Sequence, residues 1–435
     1  MTVPLNRRSF LKTAALASAG VATLSHRAFA QSRGANEKIV LGLIGAGGMG
    51  RTNMRSFMDL SGVEIGAICD VDSKHAEEAA AEVLKKQGRA PQIQKDFRAL
   101  LDRKDIDGVI IGTPDHWHAI PFIAACEAGK DIYCEKPISH SFVEAKAMVG
   151  AAKYFKRVVQ VGSWQRSVPH FQQAIDFVRS GKMGRITICR AWALNLRTGL
   201  GHQQTTPVPA ELDWDFWLGP SPLRDYRPNR CHNSWRWFYE TGGGKLADWG
   251  VHMIDIVLLG MNETDPLSVH SEGGILVTDD DRNTPDTMQT IYRFPKWQMN
   301  WEQRANNEIG LDGGKDHGAE FIGEHGTLIV DRGAVRWFPK DEDNPESGPG
   351  ESARGPNTHW QNFIDCIKTR AKTRSDIESM AKTTMICHLG NISYQSQTTV
   401  KWDAKSQDVA NRAARHAMAY ERPYRKPWKL KIYKA

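Results

Sequence analysis

The hydrophobic pattern along the chain changes character once, near residue 162. Before that point short apolar runs alternate with helical segments. Ile39–Ile44 is apolar throughout, as a strand covered on both faces should be. A helical stretch over about 49–60 follows, then a second strand over 63–69 that ends at Asp70. An alanine-, glutamate- and lysine-rich segment predicts a helix over 73–86. A strand over 108–112, a turn at Thr113-Pro114, a helix over 117–128, a strand over 131–134, a helix near 140–155 and a strand over 158–161 complete the series. This alternation predicts βαβ units and a doubly wound parallel sheet over 37–162.

After residue 162 the pattern predicts a long strand over 186–192, an aromatic turn over 214–220 and a helix over 245–259. Strand-like runs then follow without intervening helices, at 266–277, 287–294, 297–304, 318–322, 327–330 and 334–338. They predict an open, mostly antiparallel sheet. Residues 340–357 are acidic and rich in Gly, Pro and Ser, and read as a surface loop. Two helices, near 357–369 and 376–396, are expected to close this second domain, taken as 163–435. The fold class is α/β in two domains, as a chain of 435 residues should be.

The first thirty residues stand apart. Arg7, Arg8 and Lys12 precede a mild alanine-rich stretch and an Ala28-Phe29-Ala30 cleavage site. The order of basic, apolar and small-residue regions predicts an export leader, and the paired arginines resemble the twin-arginine signal. Residues 1–30 carry four basic and no acidic residues, so without them the net charge falls from +7 to +3. The basic balance thus gives no support to a nucleic-acid partner. No later run is apolar enough to span a bilayer. The seven cysteines contain no Cys-x-x-Cys pair, which speaks against zinc or a redox dithiol, and free thiols are expected.

Chemistry enters at Gly45-Ala46-Gly47-Gly48-Met49-Gly50. This loop follows a buried strand, opens a helix, and has Asp70 twenty residues beyond it at the next strand end. Gly45 permits the turn, Gly47 lets the backbone approach a pyrophosphate, and Gly50 allows close helix–strand packing. The helix N-terminus offers N–H groups to phosphate. Asp70 suits ribose hydroxyls and repels a 2′-phosphate, which favours NAD over NADP. Thr113, Pro114, His116 and His118 follow another strand end and are read as lining the same site. Glu135-Lys136-Pro137 leaves a third strand end, which points Lys136 toward the nicotinamide region.

A second segment runs from Gly242-Gly243-Gly244 through Lys245 to Asp248 and His252. Four-residue spacing on a helix puts Asp248 and His252 on one face. The glycines would let backbone approach a ligand. A structural Asp–His pair gives the same pattern. His252 and Asp255 alone are thin grounds for a metal, and none is expected. Trp164, Gln165, Arg166, Trp235, Arg236 and Trp237 mix aromatic faces with fixed donors, as polyhydroxyl ligands require.

The glycine loop, Asp70, Glu135-Lys136-Pro137 and Asp248-x-x-x-His252 together resemble the glucose–fructose oxidoreductase/inositol dehydrogenase/rhizopine catabolism (Gfo/Idh/MocA) family. The resemblance extends over about 37–435 and takes in Gly162-Ser163-Trp164-Gln165-Arg166, Leu212-Asp213-Trp214-x-x-Trp217-Leu218-Gly219-Pro220 and Tyr424-Arg425-Lys426-Pro427-Trp428. It implies a Rossmann domain, a C-terminal α/β domain whose open sheet often pairs subunits into a homo-oligomer, and nicotinamide chemistry on sugars or cyclitols. It also implies catalytic roles for Lys136, Asp248 and His252. His252 has the pKa of a base, with Asp248 placed to orient it or to bind a neighbouring hydroxyl. Lys136 would need a large pKa shift to act as base and suits polarisation of the substrate oxygen.

The leader then selects among reactions. With Kd near 1 nM and association near 10⁶ M⁻¹s⁻¹, a bound nicotinamide leaves at about 10⁻³ per second. An exported enzyme that consumed its cofactor would stall. A sugar oxidoreductase with retained NAD, re-oxidised by a second substrate, is the first expectation. A redox-neutral glycoside hydrolase or lyase working through a transient keto-sugar is the second. A non-catalytic nucleotide- or sugar-binding protein is the third.

Overall fold

The computed structural model describes residues 38–194, 199–310, 315–341 and 357–434. The expected leader at 1–30 lies outside these residues, as does most of the expected loop at 340–357.

Six parallel strands form the first sheet. They are β1 (Ile39–Ile44), β2 (Val63–Cys69), β3 (Gln92–Gln94), β4 (Gly108–Ile111), β5 (Asp131–Cys134) and β6 (Val159–Val161), in the order β3-β2-β1-β4-β5-β6. All four residues of β4 and of β5 are buried, because helices cover both faces. The strand order reverses between β1 and β4, which opens a crevice at their carboxyl ends. Edge strand β3 has three residues, mostly exposed, and its short polar sequence gave no apolar run to read.

The second sheet has nine strands: β7 (Ile188–Ala193), β8 (Ser268–Gly274), β9 (Thr287–Arg293), β10 (Gln298–Gln303), β11 (His317–Gly323), β12 (Gly326–Val330), β13 (Val335–Pro339), β14 (Val400–Asp403) and β15 (Asp408–Val409). Their order is β13-β12-β11-β7-β10-β9-β8-β14-β15. β7 and β10 pair in parallel, and the other neighbours are antiparallel. Along β9, Met288, Thr290 and Tyr292 are buried while Gln289, Ile291 and Arg293 are exposed. This period of two marks a sheet packed on one face and open on the other. The packed face receives the helices Val251–Met261 and Ile377–Ser396.

One expectation about the domains is corrected. Helix His359–Thr369 does not close the second domain. Its Phe363, Ile364, Cys366 and Ile367 share an apolar cluster with Leu41, Leu43, Phe57 and Tyr133 of the first. Trp360 donates from Nε1 to Asn53 Oδ1 at 3.0 Å. The C-terminal residues return as well, for Tyr424 donates to Glu144 at 2.6 Å and the Tyr433 ring lies 4.9 Å from Phe155. All seven cysteines are free and buried.

Candidate active site

The glycine loop closes the carboxyl end of β1. Gly45 has φ of +88°, a left-handed conformation suited to glycine. A Cβ at Gly50 would stand 1.9 Å from the Gly45 carbonyl oxygen, and one at Gly112 would stand 2.6 Å from the Gly50 Cα. Three glycines therefore pack loop, helix and β4 into contact. In contrast, a Cβ at Gly47 or Gly48 would meet nothing within 4 Å. Helix Gly48–Met58 begins at Gly47 without a side-chain cap, so its first N–H groups face that open space. This is a cradle of the form a pyrophosphate fills. NAD fits it: Gly45, Gly47, Gly48, Met49, Asp70, Thr113 and Pro114 border a cavity of about 360 Å³.

Asp70 also ties the loop together. Its Oδ2 accepts from the Ala46 N–H at 2.6 Å and its Oδ1 from the Asp72 N–H at 2.9 Å. Ala46 and Gly50 thus serve the shape of the loop and do not border the cavity. At the same end of the cavity His75, Lys95 and His232 contribute side chains that no motif had marked.

Glu135 and Lys136 leave β5 at the far end, with Thr113 and Pro114 beside them. Glu135 is buried and accepts from Asn53 Nδ2 at 2.7 Å and from the Lys136 N–H at 3.2 Å. Burial raises its carboxyl above the ordinary value, against the opposing pull of Lys136. His116 and His118 are corrected from cofactor contacts to structural groups. His118 sits between the Pro137 carbonyl (2.7 Å from Nδ1) and the Thr113 carbonyl (2.9 Å from Nε2), and the single N–H of its neutral ring donates to one of them. His116 Nε2 meets the Trp217 carbonyl at 3.0 Å. Burial lowers His116 to about 3 and His118 to about 4, so both stay neutral.

A second cavity, also about 360 Å³, adjoins the first. Met49, Glu135, Lys136, Asn233 and Arg236 border both. Asp248 and His252 face the second, on a π-helical turn, Leu246–Gly250, and the α-helix Val251–Met261 that follows it. Lys136 Nζ donates to Asp248 Oδ1 at 2.7 Å and to its carbonyl at 2.9 Å. Arg236 Nε adds a bond to the same Oδ1 at 3.1 Å. Burial works against the Asp248 carboxylate, yet Lys136 and Arg236 together hold it far below the ordinary range. It is fully ionised at neutral pH.

Asp248 does not orient His252, contrary to one of the two roles expected of it; its partners are the two cations. His252 is buried with Nδ1 lacking a hydrogen-bond partner. Burial first, then Lys136 and Arg332, hold its pKa well below 6.5. The imidazole is neutral and able to accept a proton.

The remaining candidates divide. Trp164 borders the second cavity, and Trp235 borders the first. Arg166 does not border either cavity. It is buried against Asp255 at 2.8 and 2.6 Å and donates to Ser379, which also removes Asp255 from His252. Gln165 holds the site from behind, with Oε1 accepting from Arg332 Nε at 3.1 Å. The triple glycine touches protein, for a Cβ at Gly242 would stand 2.7 Å from the Arg236 Cα and one at Gly243 2.5 Å from the Ala247 Cβ. Lys245, Trp249, Trp237, Asn233 and Arg332 complete the second cavity. Lys245 lay three residues before Asp248 and could have been read onto its face. Arg332, in the turn after β12, carried no such signal.

Residues 39–163 match the model described as oxidoreductase family, NAD-binding Rossmann fold, and residues 178–430 match that of the oxidoreductase family, C-terminal alpha/beta domain. Over 215 residues the chain is 28% identical to the rhizopine catabolism protein MocA of Rhizobium meliloti, covering 49% of this chain and 55% of that protein. Over 169 residues it is 36% identical to a glycosyl hydrolase family 109 protein of Shewanella pealeana, covering 34% of this chain and 37% of that one. The chain spans about half the length of the curated relatives it matches. An aldose-aldose oxidoreductase from Caulobacter crescentus, complexed with glycerol, shares the fold over 84% of this chain and 100% of that one, with a TM-score of 0.61 at 19% identity. With both domains matched in order, the chain belongs to the Gfo/Idh/MocA oxidoreductase family, its NAD-binding Rossmann domain preceding a C-terminal α/β domain.

Proposed function

We propose that this chain oxidises a secondary alcohol of a sugar, sugar derivative or cyclitol in its second cavity. NAD in the first cavity supplies the hydride acceptor. The observation that carries the reading is the position of Lys136. It stands where the two cavities meet, bonded to ionised Asp248, with neutral His252 facing the same space. Lys136 Nζ donates to the substrate oxygen and polarises it. His252 accepts the hydroxyl proton, which a neutral imidazole can do at pH 7. Asp248 keeps the ammonium group in place and accepts from a neighbouring hydroxyl. Adding candidate sugars to the purified protein and following reduced-nicotinamide absorbance tests the reading. If no sugar or cyclitol changed that signal, it would fail.

We further propose that the chain is exported by the twin-arginine machinery and holds its NAD through many turnovers, with a second substrate restoring the oxidised form. The leader sequence supports the first point, and the need to work away from a soluble cofactor pool supports the second. Cell fractionation checks the address. Denaturing the freshly purified protein and assaying released nucleotide checks retention, and an empty protein would contradict it.

A second reading is redox-neutral glycoside cleavage through a transient keto-sugar. The match to a glycosyl hydrolase family 109 protein favours it. It predicts cleavage of a glycoside without net NADH, and one NADH per product would exclude it.

A further inference from the structure

The Asp70 end of the first cavity carries a cluster that the proposed oxidation does not use. Asp72 caps the helix Ser73–Gln87, its Oδ1 accepting from the N–H groups of Lys74 and His75 at 3.0 and 3.3 Å. Its Oδ2 meets His232 Nε2 at 3.0 Å. The His75 and His232 ring centroids lie 4.4 Å apart, with the planes tilted by 54°. One ligand atom from each of the three side chains falls within 4.8 Å of the other two, and among the described residues this is the one place where three such groups come so close. His232 arrives there with φ of +20°, followed by Asn233 at +49°, a backbone that costs a non-glycine residue energy and persists only where its surroundings hold it.

An Asp–His hydrogen bond accounts for only two of the three groups. Two imidazole nitrogens and a carboxylate oxygen together are the donor set of a zinc-class ion. Bonds of about 2.0–2.2 Å in a tetrahedron set ligand atoms about 3.3 Å apart. Asp72 and His232 already stand near that spacing, and rotation of the half-buried His75 ring brings in the third ligand. The helix N–H groups on Oδ1 fix the carboxylate and leave Oδ2 for the ion, as outer partners of metal ligands do. We propose that Asp72, His75 and His232 bind a zinc-class divalent ion, with a fourth position open to water. The ligands come from both domains, so sequence spacing gave no sign of them. Residues 211–213 of the second domain lie along the same turn, for the Ser73 N–H donates to the Glu211 carbonyl at 2.9 Å and the Asp213 N–H to the Val71 carbonyl at 3.0 Å. His75 and His232 also border the first cavity beside Asp70. With NAD in that cavity, and whatever reaction the second one supports, a bound ion clasps the second domain over the cofactor and slows its departure.

The untagged protein, loaded with NAD and freed of metal by a chelator, is titrated with zinc chloride by calorimetry and with cobalt(II) chloride by visible absorption. About one ion should bind per chain, with the strong visible bands of four-coordinate cobalt, and magnesium should not bind. His75→Ala and His232→Ala should each weaken zinc binding by about 10²-fold or more, at least the cost of losing an outer partner of a ligand. Metal-free melting temperatures of the two variants check their folding. His202, exposed between Asp279 and Asp281, provides the control: His202→Ala should bind zinc as the parent does. Zinc binding weaker than about 100 μM in the parent, or unchanged in both His75→Ala and His232→Ala, overturns the site. Loss of bound nicotinamide on dilution is then timed with and without zinc. Zinc should slow it about five-fold or more in the parent and not in either variant, and an unchanged rate in the parent overturns the clasp. A protein that takes up no NAD counts against the cofactor's place in the first cavity, while the zinc titration still decides the site. Neither arm measures sugar oxidation, so failure of the oxidoreductase reading leaves both results intact.

Discussion

In the proposed oxidation, the protonation state of one imidazole sets how the site takes up a proton. His252 is held well below its ordinary pKa by burial, with Lys136 and Arg332 adding to the effect. A group depressed in this way remains a base until the pH falls to its own lowered pKa. The acid limb of kcat/KM should therefore lie well below about pH 6.5, the value of a free histidine. A pH profile of sugar oxidation checks this, and a limb centred near 6.5 would contradict the assignment. Lys136 makes a second prediction. Lys136→Met leaves Asp248 still paired with Arg236 at 3.1 Å, so folding should survive. Loss of the polarising donor should lower kcat/KM by about 10²- to 10⁴-fold, while nucleotide released on denaturation stays near wild-type levels.

At the scale of elements, the glycine loop separates packing from binding. Gly50→Ala places a methyl 1.9 Å from the Gly45 carbonyl oxygen, so backbone must move. Overpacking of this kind costs on the order of 1–3 kcal/mol or more, and the melting temperature should fall by several degrees. Gly48→Ala adds its methyl to open space at the first helical position, where Ala is favoured over Gly. Its stability should be unchanged or higher, yet its nicotinamide content should drop, because the methyl occupies the phosphate cradle. Melting curves read beside nucleotide content separate the two. A Gly48→Ala protein with full nucleotide would show the cradle to be placed wrongly. The contrast also shows what a sequence reveals. The loop, β1, β2, β4 and β5 were legible because buried parallel strands are uninterrupted apolar runs. The strands of the open sheet were legible through their period of two. Strand β3 was too short and polar, and the pairing of β7 with β10 left no trace because parallel neighbours far apart in sequence share no turn. Asp248 and His252 were marked by their four-residue spacing, Lys136 by its place at a strand end, and all three by the family resemblance; the structure brings them to one cavity. Gln165, Arg166, His116 and His118 were misplaced because a polar side chain beside a strand end reads the same whether it faces ligand or carbonyl oxygen. Arg332 was invisible, since only the folded turn after β12 carries it to Trp249.

Over the whole molecule, the two domains are bound by elements that cross between them. Phe363 is fully buried in the first domain's core although it follows the second sheet in sequence. Phe363→Ala should cost about 3–5 kcal/mol, seen as an earlier denaturant midpoint for the first domain and its bound nucleotide together. A second whole-molecule property follows from the buried imidazoles. Burial lowers His116 and His359 to about 3 and His118 and His388 to about 4, and takes His140 and His252 well below 6.5. A histidine depressed in the folded state adds stability that is complete above its unfolded pKa, about 6.5. That stability is lost as the pH falls toward the folded value. Each such histidine contributes at most about 1.4 kcal/mol per pH unit across that window. Asp70, Asp115 and Glu135 act in the opposite sense, because burial raises their pKa values and protonation relieves them. Three carboxyls set against six imidazoles leave a net loss. Thermal midpoints should therefore fall steeply from about pH 6 downward, with unfolding complete before about pH 4. His118→Gln offers the check on cause. The change removes a buried ring packed between the carbonyls at 113 and 137, so the midpoint at pH 7.5 should drop, but the slope below pH 6 should become shallower. An unchanged slope in this variant, or a flat midpoint from pH 7 to 4.5 in the parent, would show that these histidines do not set the acid limit.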